Sequence, residues 1–210
     1  MKGTNMLKFD LCSIGLSRQK FEQSLQKYEE IVNLFHETNV AEDDNFQRLF
    51  NGFYITSPLS KTWYVNFYRY FENVRNDNPT FEKVITDLYN INGQARVDAS
   101  FCSKLVATIN PDKPIIDQYI MWQMGYNLKT ADSLKGLAKI HYYVDAYSEI
   151  EKQYKEHIDD VAIKTAIAEF DSIYPNYKWL SPIKKLDFIL WSNRNYRTFS
   201  VFEYYKLKEG

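Results

Sequence analysis

Three kinds of residue in this chain could do chemistry, and most of them fall between residues 81 and 125. Asp117 stands in Pro114-Ile115-Ile116-Asp117-Gln118, behind a Pro-bounded loop and ahead of a short apolar segment. A carboxylate held there could stabilise a developing cation or help to activate water. It could equally be an acidic residue at the head of a helix, where negative charge is favoured in any case. Lys104 lies between apolar neighbours Phe101 and Leu105. A lysine in such surroundings becomes a nucleophile only if its pKa is depressed; the ordinary alternative is a side chain that snorkels or pairs with an acid such as Asp98. Asn92-Gly93-Gln94, with Arg96 and Lys113 nearby, could hold a phosphate through backbone N–H groups. An ordinary helix-turn-helix corner would look the same.

Local patterning places these residues on helices and turns. Phe81, Val84, Ile85, Leu88 and Tyr89 recur at helical spacing after Asn78-Pro79-Thr80, where Asn78 or Thr80 can cap and Pro79 suits a first turn. Gly93 takes a left-handed conformation cheaply and predicts a stop. Val97, Phe101, Leu105 and Ile109 make the stripe of the next helix, ended by Pro111. The turn Asn110-Pro111-Asp112-Lys113-Pro114 follows, and then Asp117.

This order of helix, hairpin, helix, Pro-loop and aspartate resembles the core of the helix-hairpin-helix DNA glycosylases, which excise damaged or mispaired bases. The likeness covers residues 81–125. It sets Gly93 at the hairpin, Ala99 to Ile109 in the following helix and Asp117 at the catalytic position. It implies a two-lobed all-α bundle that binds DNA and hydrolyses an N-glycosidic bond. The hairpin has one glycine where the family usually has two. Ala99, not Lys104, is nearer to the place of the family's Schiff-base lysine, so a monofunctional hydrolase is implied rather than a lyase. With Cys12 and Cys102 alone there is no cysteine-rich tail for an iron–sulfur cluster, and no cofactor is expected.

The rest of the chain reads as further helices. Ser17 can cap a helix with the stripe Phe21, Leu25, Tyr28, Ile31, Leu34 and Phe35. Asn39 or Asp43-Asp44 begins a second with Phe46, Leu49, Phe50 and Phe53, broken at Ser57-Pro58. Ser60 caps a third, whose stripe is Trp63, Phe67, Tyr70, Phe71 and Val74. The aromatic cluster Trp63, Tyr64, Phe67, Tyr68, Tyr70 and Phe71 on this helix could stack on an exposed base, but core packing is its ordinary use. Thr130 or Asp132 opens a long pattern running to about His157, Asp159-Asp160 another ending at Pro175, and Ser181-Pro182 a last one. Residues 1–16 and the tail beyond Asn193 have no clear helical pattern; the tail reads as a strand or docked extension. Strand signals are nearly absent, so the expected class is all-α, as one domain or two lobes sharing a core.

Composition narrows the functional classes. Twenty-six basic residues against 27 acidic leave a net charge of −1, so no overall field draws the chain to nucleic acid. A local basic face would have to serve. Lys184 and Lys185 face away from the Ile183–Leu186–Leu190 stripe on the helical wheel, and with Lys178, Arg194 and Arg197 they form the most basic neighbourhood. The DNA-binding set expected from the sequence is therefore Asn92, Gly93, Gln94, Arg96, Lys104, Lys113, Lys184 and Lys185. A solvated helix face is the ordinary reading of the two C-terminal lysines. Cys102 reads as core, and His36, His141 and His157 lack metal-ligand spacing. No signal-peptide pattern or membrane span is evident, and two separated cysteines suit a cytoplasmic protein. The competing function is a non-catalytic helical module that binds a protein partner.

Overall fold

A computed structural model describes residues 17–54, 59–126 and 128–192. Among these residues there is no strand, and ten α-helices account for the regular structure apart from one 3-10 turn at Pro175–Tyr177. The expected all-α class therefore stands. The N-terminal arm, the Ser57-Pro58 break and the tail after Asn193 lie outside the described residues.

Side-chain caps start the helices where small polar residues precede apolar periodicity. Helix α1 (Arg18–Glu37) starts with the Ser17 hydroxyl accepting from Lys20 N, and α2 (Asp44–Phe53) with Asp43 accepting from Asn45 and Phe46 N. Ser60 caps α3 (Lys61–Val74), and Thr80 caps α4 (Phe81–Ile91). Each such cap satisfies backbone donors that have no partner within the helix, and is worth about 1 kcal/mol. Because Thr80 is the cap, Pro79 lies before the helix and not in its first turn. The other helices are α5 (Ala99–Ile109), α6 (Gln118–Gln123), α7 (Leu128–Ser133), α8 (Gly136–His157), α9 (Val161–Ile173) and α10 (Pro182–Ser192).

The long helical pattern expected from Thr130 or Asp132 is two helices. Gly136 has φ +54°, a left-handed conformation that interrupts a right-handed helix and that glycine adopts without strain. Helix α7 ends before it and α8 begins at it. Val97, expected on the α5 stripe, also stays outside that helix, which begins two residues later.

Aromatic rings fill the interior. Phe71 packs against Phe35, Phe46, Phe50 and Phe67, with centroids 5.5–5.9 Å apart. A second group joins Phe21 of α1 to Phe170 of α9 and Phe188 of α10. Phe50–Tyr54, Tyr54–Phe53 and Phe53–Phe188 contacts link the two groups. Trp63, Phe67, Tyr70 and Phe71, the aromatic stripe of α3, are all buried. They serve the core rather than an open stacking surface. Cys102 is buried as well. Among the described residues no helix is long and apolar enough to cross a membrane, and no group of His, Cys, Asp or Glu could hold a metal ion.

Candidate functional site

The hairpin and the Pro-loop are built by separate local rules. At the end of α4, Gly93 N donates to Asn90 O and Gln94 N to Tyr89 O, closing the helix. Gly93 has φ +67° and Gln94 φ +59°, so two successive residues are left-handed and reverse the chain. Seven residues, 92–98, separate α4 from α5, and the two helices pack together.

The Pro-loop is fastened from several sides. Ser103 of α5 accepts the Ile116 N–H at 3.1 Å, and its hydroxyl lies 3.1 Å from the Ile116 carbonyl. The Tyr147 hydroxyl of α8 donates to Pro114 O at 3.1 Å, its ring stacked on Phe81 at 4.1 Å. Ser181 donates to Pro111 O at 2.7 Å, and Lys113 pairs with Glu151 at 2.6 Å. Asp117 follows this anchored segment. Its Oδ1 accepts from Tyr119 N at 2.8 Å and Ile120 N at 2.9 Å, so the carboxylate caps α6 in a fixed orientation.

That cap does not remove Asp117 from the surface of a cavity. A space of about 670 Å³ is bounded by α1, the end of α2, the start of α5, the Pro-loop, α6 and α10. Asp98, Lys104, Asp117, Lys184 and Asp187 all line it, among the rings of Tyr28, Phe53, Phe101 and Trp191. Its size lies within the range of about 300–1,000 Å³ usual for small-molecule sites, and its aromatic walls are interspersed with several charged side chains.

Lys104 is buried, and its Nζ donates to the Tyr54 carbonyl at 3.3 Å. It also lies 5.2 Å from the Tyr54 ring centroid and 5.8 Å from that of Phe101. Burial pushes its ammonium pKa down to about 8, against the opposing pull of Asp117. Asp98, offered above as its partner, pairs instead with Arg96.

The α10 lysines depart furthest from expectation. Lys184 and Lys185 are 2% and 5% exposed, so they form no basic face. Lys184 Nζ donates to Asp187 Oδ2 at 3.0 Å and lies 5.5 Å from the Tyr28 centroid. Lys185 Nζ reaches Asp171 Oδ2 of α9 at 3.0 Å and the Lys178 carbonyl at 3.1 Å. The cause is that α10 is covered on nearly all sides, including by α9 and α6. Charges in such a helix must be paired where they lie. Burial raises the Asp187 carboxyl to about 6, with the adjacent Lys184 ammonium holding it down in part.

The expected DNA-binding residues therefore separate into four places. Asn92, Gly93, Gln94 and Arg96 gather at the hairpin; the Asn92 amide accepts from Asn66 Nδ2 at 3.1 Å and donates to Leu88 O at 2.9 Å. Lys113 lies on the Pro-loop, paired with Glu151. Lys104 and Lys184 line the cavity, while Lys185 is locked to α9. Asp98 and Asp187 also line the cavity, although neither is among the site residues expected from the sequence. The Lys184–Asp187 spacing of three within an apolar helix was the available signal for the second. No family model, curated protein or solved structure matches the chain.

Proposed function

We propose that the protein is a DNA base-excision glycosylase-like hydrolase that cleaves an N-glycosidic bond with Asp117. The observation that carries this reading is the position of Asp117. It follows a hairpin and an anchored Pro-loop, is oriented by two backbone N–H groups, and lines an aromatic-walled cavity. Loss of a base leaves positive charge at the sugar's anomeric carbon, and a fixed carboxylate beside that carbon lowers the barrier. An extruded base needs flat apolar walls and a few polar groups, and Tyr28, Phe53, Phe101 and Trp191 offer such walls. The hairpin, where Arg96 is half-exposed, is the surface offered to the phosphate backbone.

The test is a panel of duplexes carrying uracil, 8-oxoguanine, an alkylated adenine or a mismatch, incubated with the wild type and with Asp117→Asn. Wild type should release the base from one member, and Asp117→Asn should slow that release by about 10²-fold or more. The amide retains an oxygen to cap α6, so loss of activity would not reflect lost folding. No excision from any duplex, together with no salt-sensitive DNA binding, would overturn the proposal and favour a helical module that binds a protein partner.

A further inference from the structure

Two aspartates of the cavity head helices, and they are used in opposite ways. Asp117 caps α6 with two hydrogen bonds, whereas Asp98, at the head of α5, makes no side-chain cap bond. Its Oδ1 instead meets Arg96 Nη2 at 2.5 Å, and the side chain is only 7% exposed. Its Oδ2 is buried with no hydrogen-bond partner. The Trp63 indole is the one other side chain whose hydrogen bonding favours the ionised carboxyl, and it leaves Oδ2 without a partner. A capping residue that does not cap and a buried oxygen left unsatisfied both oppose folding. An arrangement of this kind in a cavity wall calls for a reason beyond packing.

Arg96 supplies the second half of the arrangement. It lies three residues past Gly93 and borders two spaces at once. One is the main cavity; the other is a shallower hollow of about 390 Å³ beside the hairpin, lined in part by Ser60, Asn66 and Asn92. Its side chain is 49% exposed. The guanidinium is thus shared between a buried carboxyl and the open hairpin surface.

We propose that Asp98 is the proton donor of the cavity and that Arg96 holds it in reserve until a backbone phosphate arrives at the hairpin. This rests on the glycosidic-cleavage reading. A guanidinium binds phosphate through a planar pair of N–H donors and carries its charge at any ordinary pH. Phosphate therefore competes with Asp98 for it. A carboxyl so little exposed cannot stay ionised cheaply once its cation has left. Burial already raises its pKa, and the Arg96 charge is the foremost opposing influence. The other charged or titratable groups facing Asp98 do not replace Arg96. Lys139 of α8 favours the carboxylate but stands beside Asp132 at 3.9 Å. Tyr143 of α8 and Cys102 of α5 have pKa values raised by burial. Lys104, also on the cavity wall, is bonded to the Tyr54 carbonyl, and Asp117 adds negative charge.

The step balances as follows. Protonated Asp98 gives its proton to a ring nitrogen of the base as the C1′–N bond breaks, and the bonding pair leaves with the base. Water adds to C1′, and the proton it sheds returns to Asp98. Asp117 serves throughout as the fixed negative charge, so the two carboxyls divide the roles of acid and electrostatic stabiliser.

Two measurements test this. Carboxyl carbon NMR, with the Asp98 signal assigned by its loss in Asp98→Asn, should show the Asp98 midpoint about one pH unit or more higher in Arg96→Gln than in wild type. Arg96→Lys, should the first variant fail to fold, should give a smaller rise. An unmoved midpoint overturns the proposal. Calorimetry near pH 6.5, in buffers of differing ionisation heat, would follow binding of a duplex with a tetrahydrofuran abasic analogue. Wild type should take up close to one proton more than Asp98→Asn. Binding without that difference overturns the role of Asp98 and leaves the Asp117 reading standing; no binding by either protein overturns both.

Discussion

Lys104 shows what burial does to a charge at this site. Burial favours the neutral amine more than water would, even though two aromatic faces and one backbone acceptor attract the ammonium. In the unfolded chain the group titrates near 10.5, and in the folded protein near 8. Between those values the unfolded state binds more protons, and folding stability rises with pH. Below 8 the folded protein bears the full cost of a buried charge, at most about 3 kcal/mol by the size of the difference. Lys104→Met should therefore stabilise the protein at pH 7. Its advantage should shrink as pH climbs from 8 to 10.5. Urea denaturation of both proteins across that range checks it, and an advantage constant with pH would place the lysine in water. The Lys184–Asp187 pair follows related physics: each charge is tolerated because the other lies 3.0 Å away, and removing one would leave the other buried alone.

At the scale of elements, the hairpin and the Pro-loop position the site by different means. The loop relies on side chains of α5, α8 and the start of α10, which grip its backbone. The hairpin relies on its own backbone conformation, since Gly93 lies in the left-handed region and a Cβ there would meet nothing within 4 Å. Replacing Gly93 should thus cost only what the left-handed backbone imposes on an L-residue, about 1–2 kcal/mol for Gly93→Val. Chemical denaturation measures it. A cost near zero would mean that the turn relaxes into another conformation. Gly136 differs, because an added Cβ would approach the Tyr89 hydroxyl at 3.2 Å as well as carrying φ +54°.

For the whole molecule, the linked aromatic groups make one core from helices distant in sequence. Phe71 lies at 0% exposure against four other phenylalanines, so Phe71→Ala should destabilise by about 3–5 kcal/mol. Val161, at 82% exposure, should tolerate Val161→Ala within about 0.5 kcal/mol. Thermal unfolding of the two variants should separate them clearly; similar midpoints would mean that the core repacks around the lost ring.

What the sequence determined by itself was local. Periodicity and caps marked the helices because both depend on residues within a few positions of one another: Asp43 and Phe46, Thr80 and Lys83, Asp117 and Ile120. Gly93 announced the hairpin for the same reason. Tertiary structure alone decided which side of a helix meets solvent when every side is covered. Lys184 and Lys185 face solvent on a helical wheel, yet the cavity wall takes in Lys184 and α9 covers Lys185, and their acidic partners make burial tolerable. It also decided that Asp98, Lys104, Asp117 and Asp187 share one cavity. Their convergence depends on contacts among α1, α5, α6 and α10 across much of the chain, and no local spacing encodes such contacts.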